Sequence, residues 1–196
     1  MLDPTVLGVY GSSDTGKTTL VVDLVKRLTS EGLKVATVKR TNKPISLDTE
    51  MKDTWRHHKA GAALTVFSSV LETDFLVNKP MTTFEMVQRI TDFDYYDVVL
   101  IEGADDPHIK KIQVGTGSER DNTICRYENN IDEVFRIIKD EVEKKSRLQK
   151  LRITVNGKNI PLTEFPEEFV TNTLEGMLRS LKGVDRIDTV MIQLKK

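Results

Sequence analysis

Only one cysteine, Cys125, stands in 196 residues. A single thiol excludes an intramolecular disulfide and a cysteine-rich zinc site, and it suits a reducing cytoplasm. Aromatic residues are scarce at 6%. No apolar run approaches the ~20 residues that a membrane helix needs. The segment Met1 to Tyr10 lacks a basic stretch followed by an apolar core, so no signal peptide is expected. An excess of either charge is missing too. Lys plus Arg is 29 and Asp plus Glu is 30, which leaves a formal net charge of −1. Duplex-binding domains usually carry a basic excess, so neither nucleic acid nor membrane is an expected partner. Histidine is rare, and His57 and His58 have no further ligands at useful spacing for a metal. What remains is a soluble, cytoplasmic protein with room for one full domain and a small appendix.

Hydrophobic spacing supplies the organisation. Thr5–Tyr10 (TVLGVY) reads as a strand buried on both faces. A glycine-bearing loop, Gly11 to Gly16, follows it. Leu20, Val21, Leu24, Val25 and Leu28 then recur at helical spacing, and Gly32 stands where a helix ends. Val35–Lys39 is a second strand, which completes a βαβ unit and implies a parallel sheet. Thr49 to Ala60 reads as a polar helix and Ala62–Ser68 as a third strand, with a further short strand at Phe75–Val77. Thr82 or Thr83 caps a helix through Val87 and Ile90, Asp97–Ile101 is a buried strand, and Lys111–Val114 and Thr123–Arg126 are shorter ones. A helix from Asp132 to about Lys145 ends the alternation. The expected fold is α/β, a P-loop NTPase-type, mostly parallel sheet with helices on both faces, over residues 1–145.

The pattern changes after a charged stretch at 143–150. Leu151–Leu162 alternates around Asn156-Gly157, a strong hairpin signal. A helix follows from Pro166 to Gly183, with Phe169, Leu174, Met177, Leu178 and Leu181 expected inward. Thr189–Leu194 alternates again. Residues 151–196 thus read as a small ββαβ, α+β appendix, too short to stand alone, that packs on the main domain or on a second chain.

The chemistry begins at Gly11-Ser12-Ser13-Asp14-Thr15-Gly16-Lys17-Thr18, which fits G-x-x-x-x-G-K-[ST], the Walker A pattern, between a strand and a helix. The glycines let successive backbone N–H groups face a phosphate, and the helix start adds its partly positive end. Lys17 is placed for the β- and γ-phosphates, Thr18 for Mg²⁺ and Thr19 for the α-phosphate. Asp14 is uncomfortable in such a loop unless it points outward or binds metal. Glu102, at the end of an apolar strand, is the candidate carboxylate for Mg²⁺, whereas Asp97 starts the strand at the wrong end and reads as structural. The guanine reader Asn-Lys-x-Asp is absent: Asn42-Lys43-Pro44-Ile45 and Asn78-Lys79-Pro80-Met81 both lack the aspartate. The residues themselves indicate a nucleoside triphosphate without choosing its base.

Further stretches narrow the family: Val38-Lys39, Asp48, Lys52-Asp53-Thr54-Trp55-Arg56, Ala60-Gly61-Ala62, then Ile101-Glu102-Gly103 and Lys111-Ile112. Their order resembles the MobB family, molybdopterin-guanine dinucleotide biosynthesis protein B, over roughly residues 5–145. The family's Lys-His is here Lys39-Arg40, its following histidines are Asn42 and Lys43, and its glycine before Lys-Asp is Met51. Its Glu-Gly-Phe-Lys is Glu102-Gly103-Ala104-Asp105, with Lys110 or Lys111 as candidates to replace the lost lysine charge. The resemblance implies a homodimer that binds GTP with Mg²⁺ and hydrolyses it weakly. Such a protein assists a partner nucleotidyltransferase of the MobA type, which joins a GMP unit to molybdopterin. Lys17 and Glu102 are the candidate catalytic pair.

Other readings compete at single residues. Lys39 is either a phosphate contact or a surface lysine. Asp48 and Asp53 are outer-shell Mg²⁺ or substrate contacts, or, for Asp53, an acid that offsets a helix dipole. Arg56 contacts phosphate or pterin, or pairs with Asp53 one turn away. Trp55 reads as packing and Cys125 as an inert thiol. Two other functions stand beside the family reading. One is a small-metabolite kinase, which would need a lid of arginines such as Arg120 and Arg126. The other is a scaffold with degenerate nucleotide chemistry, which the departures from the family pattern favour.

Overall fold

The computed structural model describes residues 4–148 and, beyond them, 151, 153–155, 158–160, 164–184, 187, 190 and 192. In chain order the elements are β1 (Thr5–Tyr10), α1 (Lys17–Ser30), β2 (Val35–Lys39), α2 (Asp53–Lys59), β3 (Leu64–Ser68), β4 (Thr73–Val77), α3 (Thr83–Phe93), β5 (Val98–Glu102), β6 (Lys110–Val114), β7 (Thr123–Tyr127), α4 (Ile131–Leu148), β8 (Ile153–Val155), β9 (Lys158–Ile160) and α5 (Glu164–Arg179). Five strands form one parallel sheet in the order β2-β5-β1-β6-β7. β1 and β5 are its most apolar strands because they are covered on both faces.

On one face Leu20, Leu24 and Leu28 of α1 and Val134 and Ile138 of α4 meet Leu7, Val9, Val98, Leu100, Ile112 and Val114. On the other, Val87 and Ile90 of α3 pack on Val99, Ile101 and Ala104. A capping box starts α3: Thr82 accepts from the Glu85 backbone while the Glu85 carboxylate accepts from the Thr82 backbone. The α/β sheet with helices on both faces is as the sequence implies.

Three expectations need correction. The strand at 62–68 does not join the main sheet. A tight turn at Ser69–Glu72 lets β3 pair antiparallel with β4 as a separate hairpin, whereas joining a parallel sheet needs a long crossover. The helix expected from Thr49 begins only at Asp53, because Met51 sits at φ 69°, in the left-handed region that breaks a helix. In α5, which ends at Arg179, Phe169 and Met177 are exposed, as is Leu181 beyond it; of the expected inward set only Leu174 and Leu178 are half-buried. β8 and β9 pair antiparallel from Ile153↔Ile160 to Val155↔Lys158; the Asn156-Gly157 turn and most of Thr189–Leu194 lie outside the described residues.

Candidate functional site

The central strand β1 delivers its chain into the glycine loop at the carboxyl edge of the sheet, where ligands of open α/β sheets sit. Gly11 has φ 156°, and a Cβ there would lie 2.2 Å from the Val114 carbonyl oxygen. Gly115, just past β6, also abuts Thr15, since a Cβ on it would lie 3.0 Å from Thr15 Cγ2. The loop is therefore braced from outside by the end of β6. From inside, the Thr15 hydroxyl donates to the Ser12 carbonyl at 2.9 Å, and the Lys17 ammonium donates to the same oxygen. Helix α1 opens at Lys17 with no acid in its first turn and no side chain capping it. Its first N–H groups and the positive end of its dipole are thus left to an outside anion. Asp14, at φ 59°, is exposed, and so are Ser12, Ser13, Thr18 and Thr19.

Glu102 faces this loop from β5. It is 6% exposed, and its register puts it level with Val9 of β1 and Lys39 of β2. Its Oε1 accepts the Thr18 hydroxyl at 2.8 Å and the Lys39 ammonium. Burial pushes this carboxyl up, but the hydrogen bonds from Lys39 and Thr18, with the charges of Lys39 and Lys17, outweigh it. The group is held ionised, below the usual glutamate range. Lys17, Thr18, Lys39 and Glu102 thus converge, as two strand ends and one helix start bring them to one edge.

Other sequence-nominated residues do not join them. Asp48 accepts the Thr54 hydroxyl at 2.7 Å, and Asp53 pairs with Arg56 at 3.6 Å on an exposed helix face. No hydrogen bond or ion pair among the described residues links Asp48, Asp53 or Arg56 to the loop. Lys110 pairs with Glu141 at the opposite end of its strand. Lys111 is fully buried, and its ammonium donates to the carbonyls of Asp106 at 2.6 Å and Ile109 at 2.9 Å. Both ammoniums are thus engaged by acceptors of this chain. Burial pulls Lys111 below its ordinary value, which Asp106 only partly offsets. Asp97 anchors strand entry instead, accepting the Lys34 backbone at 2.7 Å and the Tyr95 hydroxyl. Cys125 is half-buried, and burial pushes its thiol up to about 11, so it is unreactive at neutral pH.

The two candidate lid arginines are engaged elsewhere. Arg120 donates to the Ala104 carbonyl at 2.7 Å and stacks 4.8 Å from the centre of the Tyr10 ring, while Arg126 donates to Gln113. Sequence reasoning missed Gln113, which holds the loop after β6 by donating to the Gly117 carbonyl at 3.0 Å. It also missed the pairing of Arg40 with Asp105 at 3.3 Å. The two charges satisfy each other.

The donor set suits Mg²⁺: one buried carboxylate and one hydroxyl, both hard oxygens, beside a loop that supplies phosphate contacts. Among the described residues no group of three or more His, Cys, Asp or Glu could hold a metal ion by itself. No helix among the described residues is long and apolar enough to cross a membrane.

The sequence model of the family described as molybdopterin guanine dinucleotide synthesis protein B matches residues 6–140. The chain belongs to the MobB family. A putative molybdopterin-guanine dinucleotide biosynthesis adapter protein of Methanocaldococcus jannaschii is 28% identical over 231 aligned positions, 96% of this chain and 97% of that protein. The molybdopterin-guanine dinucleotide biosynthesis adapter protein of Haemophilus influenzae is 30% identical, over 55% of this chain and 61% of its own length. Bacillus subtilis MobB superposes with a TM-score of 0.56 at 15% identity, covering 70% of this chain and 97% of that one. A MobB homologue of Bacillus stearothermophilus gives 0.52 at 19%, covering 71% and 99%. These structures establish the MobB fold of the main sheet. The family match ends before β8, whereas the M. jannaschii alignment spans enough of the chain to reach into the C-terminal segment.

Proposed function

We propose that the chain binds GTP with Mg²⁺ at the Gly11–Thr18 loop and acts as an adapter in molybdenum cofactor biosynthesis, in the cytoplasm. In this role it supports a MobA-type nucleotidyltransferase that forms molybdopterin guanine dinucleotide. The observation that carries the nucleotide is the convergence of Lys17, Thr18 and Glu102 on one uncapped helix start. The adapter role and the choice of GTP come from the relatives' names and from family membership.

In this reading the loop N–H groups and Lys17 hold the β- and γ-phosphates, and Thr18 and Glu102 hold the metal. A metal held there would supply positive charge to offset that of the phosphates. Glu102 is kept ionised by two cations, which suits a metal ligand and poorly suits a base that must take a proton from water. Hydrolysis should accordingly be slow. A small-metabolite kinase is less well supported, since Arg120 and Arg126 are committed to Ala104, Tyr10 and Gln113. A scaffold with lost nucleotide chemistry would leave the retained Lys17, Thr18 and Glu102 without a reason.

The homodimer belongs to this proposal. The β3–β4 hairpin exposes Leu64, Val66, Phe75 and Val77 on one face, and a two-stranded hairpin alone is marginal in water. Residues 1–145 would then be the nucleotide-binding unit, and 151–196 a separate appendix.

Isothermal titration with GTP and with ATP, each with Mg²⁺, tests the proposal, with Lys17→Ala alongside. GTP should bind tightly, ATP weakly, and the variant should lose about 100-fold in affinity, the worth of two charge-assisted phosphate contacts. Pull-down of a MobA-type enzyme should then depend on the hairpin or loop surfaces. Equal affinity for both nucleotides would favour a generic NTPase, and binding of neither would leave the scaffold reading.

A further inference from the structure

We infer that Lys39 is an exchangeable cation of the metal position: it neutralises Glu102 until nucleotide and divalent cation are both bound, and then turns to the terminal phosphate. The inference rests on the nucleotide reading above and assigns Lys39 a coupling role within it.

The buried partner and the exposed partner are unequal. The Glu102 side chain is 7% exposed and that of Lys39 63% exposed. An ionised carboxylate so buried needs a positive partner, and Lys39 is the ammonium in contact with it. Lys17 contributes only its field, since its own ammonium is bonded to the Ser12 carbonyl. Both Lys39 and Thr18 use the same oxygen, Oε1. That is the arrangement of a site already holding one positive charge where a metal-binding pair would place another. A divalent cation brought to that oxygen meets the repulsion of an ammonium already there, and a mostly buried site screens that repulsion poorly. A cation taken at Oε1 therefore displaces Lys39.

The chain around Lys39 is built for that movement. β2 is an edge strand, and the Lys39 side chain is exposed to solvent that gives it room to turn. The backbone just beyond is clamped. The Arg40 N–H donates to the Glu102 carbonyl at 2.8 Å, and the Arg40 side chain is tied to Asp105 and, at 3.1 Å, to the Thr83 hydroxyl. The pivot is fixed while a flexible four-carbon stem swings. The nearest new anion on offer is the phosphate end of a ligand in the adjoining loop. Metal and nucleotide should therefore help each other bind, because each supplies what the other's arrival displaces.

The test is titration of the full chain with a fluorescent GTP analogue, once with saturating Mg²⁺ and once with excess EDTA. Wild type, Lys39→Met and Lys39→Arg are compared, with thermal melts as the folding control. Lys39→Met should weaken binding about tenfold in Mg²⁺, the worth of one charged hydrogen bond, and change it less than about twofold in EDTA. Lys39→Arg should keep most of the Mg²⁺ dependence. Equal weakening of Lys39→Met in both conditions would make Lys39 a plain phosphate contact and overturn the inference. No change in either would make it a surface lysine and overturn the inference as well. Failure of the wild type to bind under either condition would instead remove the nucleotide reading itself.

Discussion

Met51 occupies left-handed backbone, where glycine is the residue without a steric cost. Its φ of 69° costs a side-chain-bearing residue about 1–2 kcal/mol, and its side chain is too exposed to recover that by packing. The turn it makes fixes where α2 begins. Met51→Gly should raise the melting temperature by about 1–3 °C, the strain relieved less the added freedom of the unfolded glycine. A lower melting temperature would mean that the methionine side chain packs on something. Glu102 makes the second prediction at this scale. Its folded carboxyl lies below the ordinary range, so the ion pair stabilises fully above the unfolded value and is lost as pH falls through the folded one. The stability difference between wild type and Glu102→Gln, read from urea midpoints, should be constant near neutrality. It should then shrink as pH falls below the ordinary glutamate value and through the lower folded one. A difference that persists in acid would show that the carboxylate's charge contributes nothing.

Single elements were readable in the sequence where one periodicity and one boundary signal agreed. The β1–loop–α1 unit is such a case: an apolar strand, glycines and a 3.6-residue stripe all point to the same place. The hairpin of β3 and β4 was readable as strands but not as a separate sheet. Strand pairing depends on which partner a turn delivers, and Leu64–Ser68 is as apolar as a sheet strand. The same limit hid the Lys39–Glu102 pair. Both residues stood out individually, but only the order β2-β5-β1 puts their strand ends side by side. In α5 apolar residues occur on more than one side, so spacing alone could not say which of Phe169, Leu174 and Met177 turns inward. The contact between Gly11 and Val114 was invisible for the same reason, and it carries a prediction. Gly11→Ala puts a methyl 2.2 Å from a strand carbonyl, so the loop must shift. Nucleotide affinity in a titration should fall at least tenfold, with about 2–4 kcal/mol of stability lost by urea unfolding, the range of overpacking with backbone strain. Retained affinity would mean that the brace from β6 is dispensable.

For the molecule as a whole, the exposed apolar face of the hairpin is the feature that asks for a second copy. Val66→Lys places a charge in the middle of that face, opposite Phe75 across the hairpin. Analytical ultracentrifugation should find the wild type as a dimer and the variant as a folded monomer. A variant that still sediments as a dimer would move the interface elsewhere. The central position of β1 has a different consequence, one of timing. Its neighbours on both sides, β5 and β6, begin at residues 98 and 110, while β2 pairs only with β5. The strand that carries the phosphate loop leaves the ribosome early and has nothing to pair with until the second half of the chain appears. At the usual pace of synthesis that interval is roughly 5–20 s. During it an unpaired TVLGVY strand is open to other nascent chains, so the yield of native protein should depend on how quickly translation covers the middle of the message.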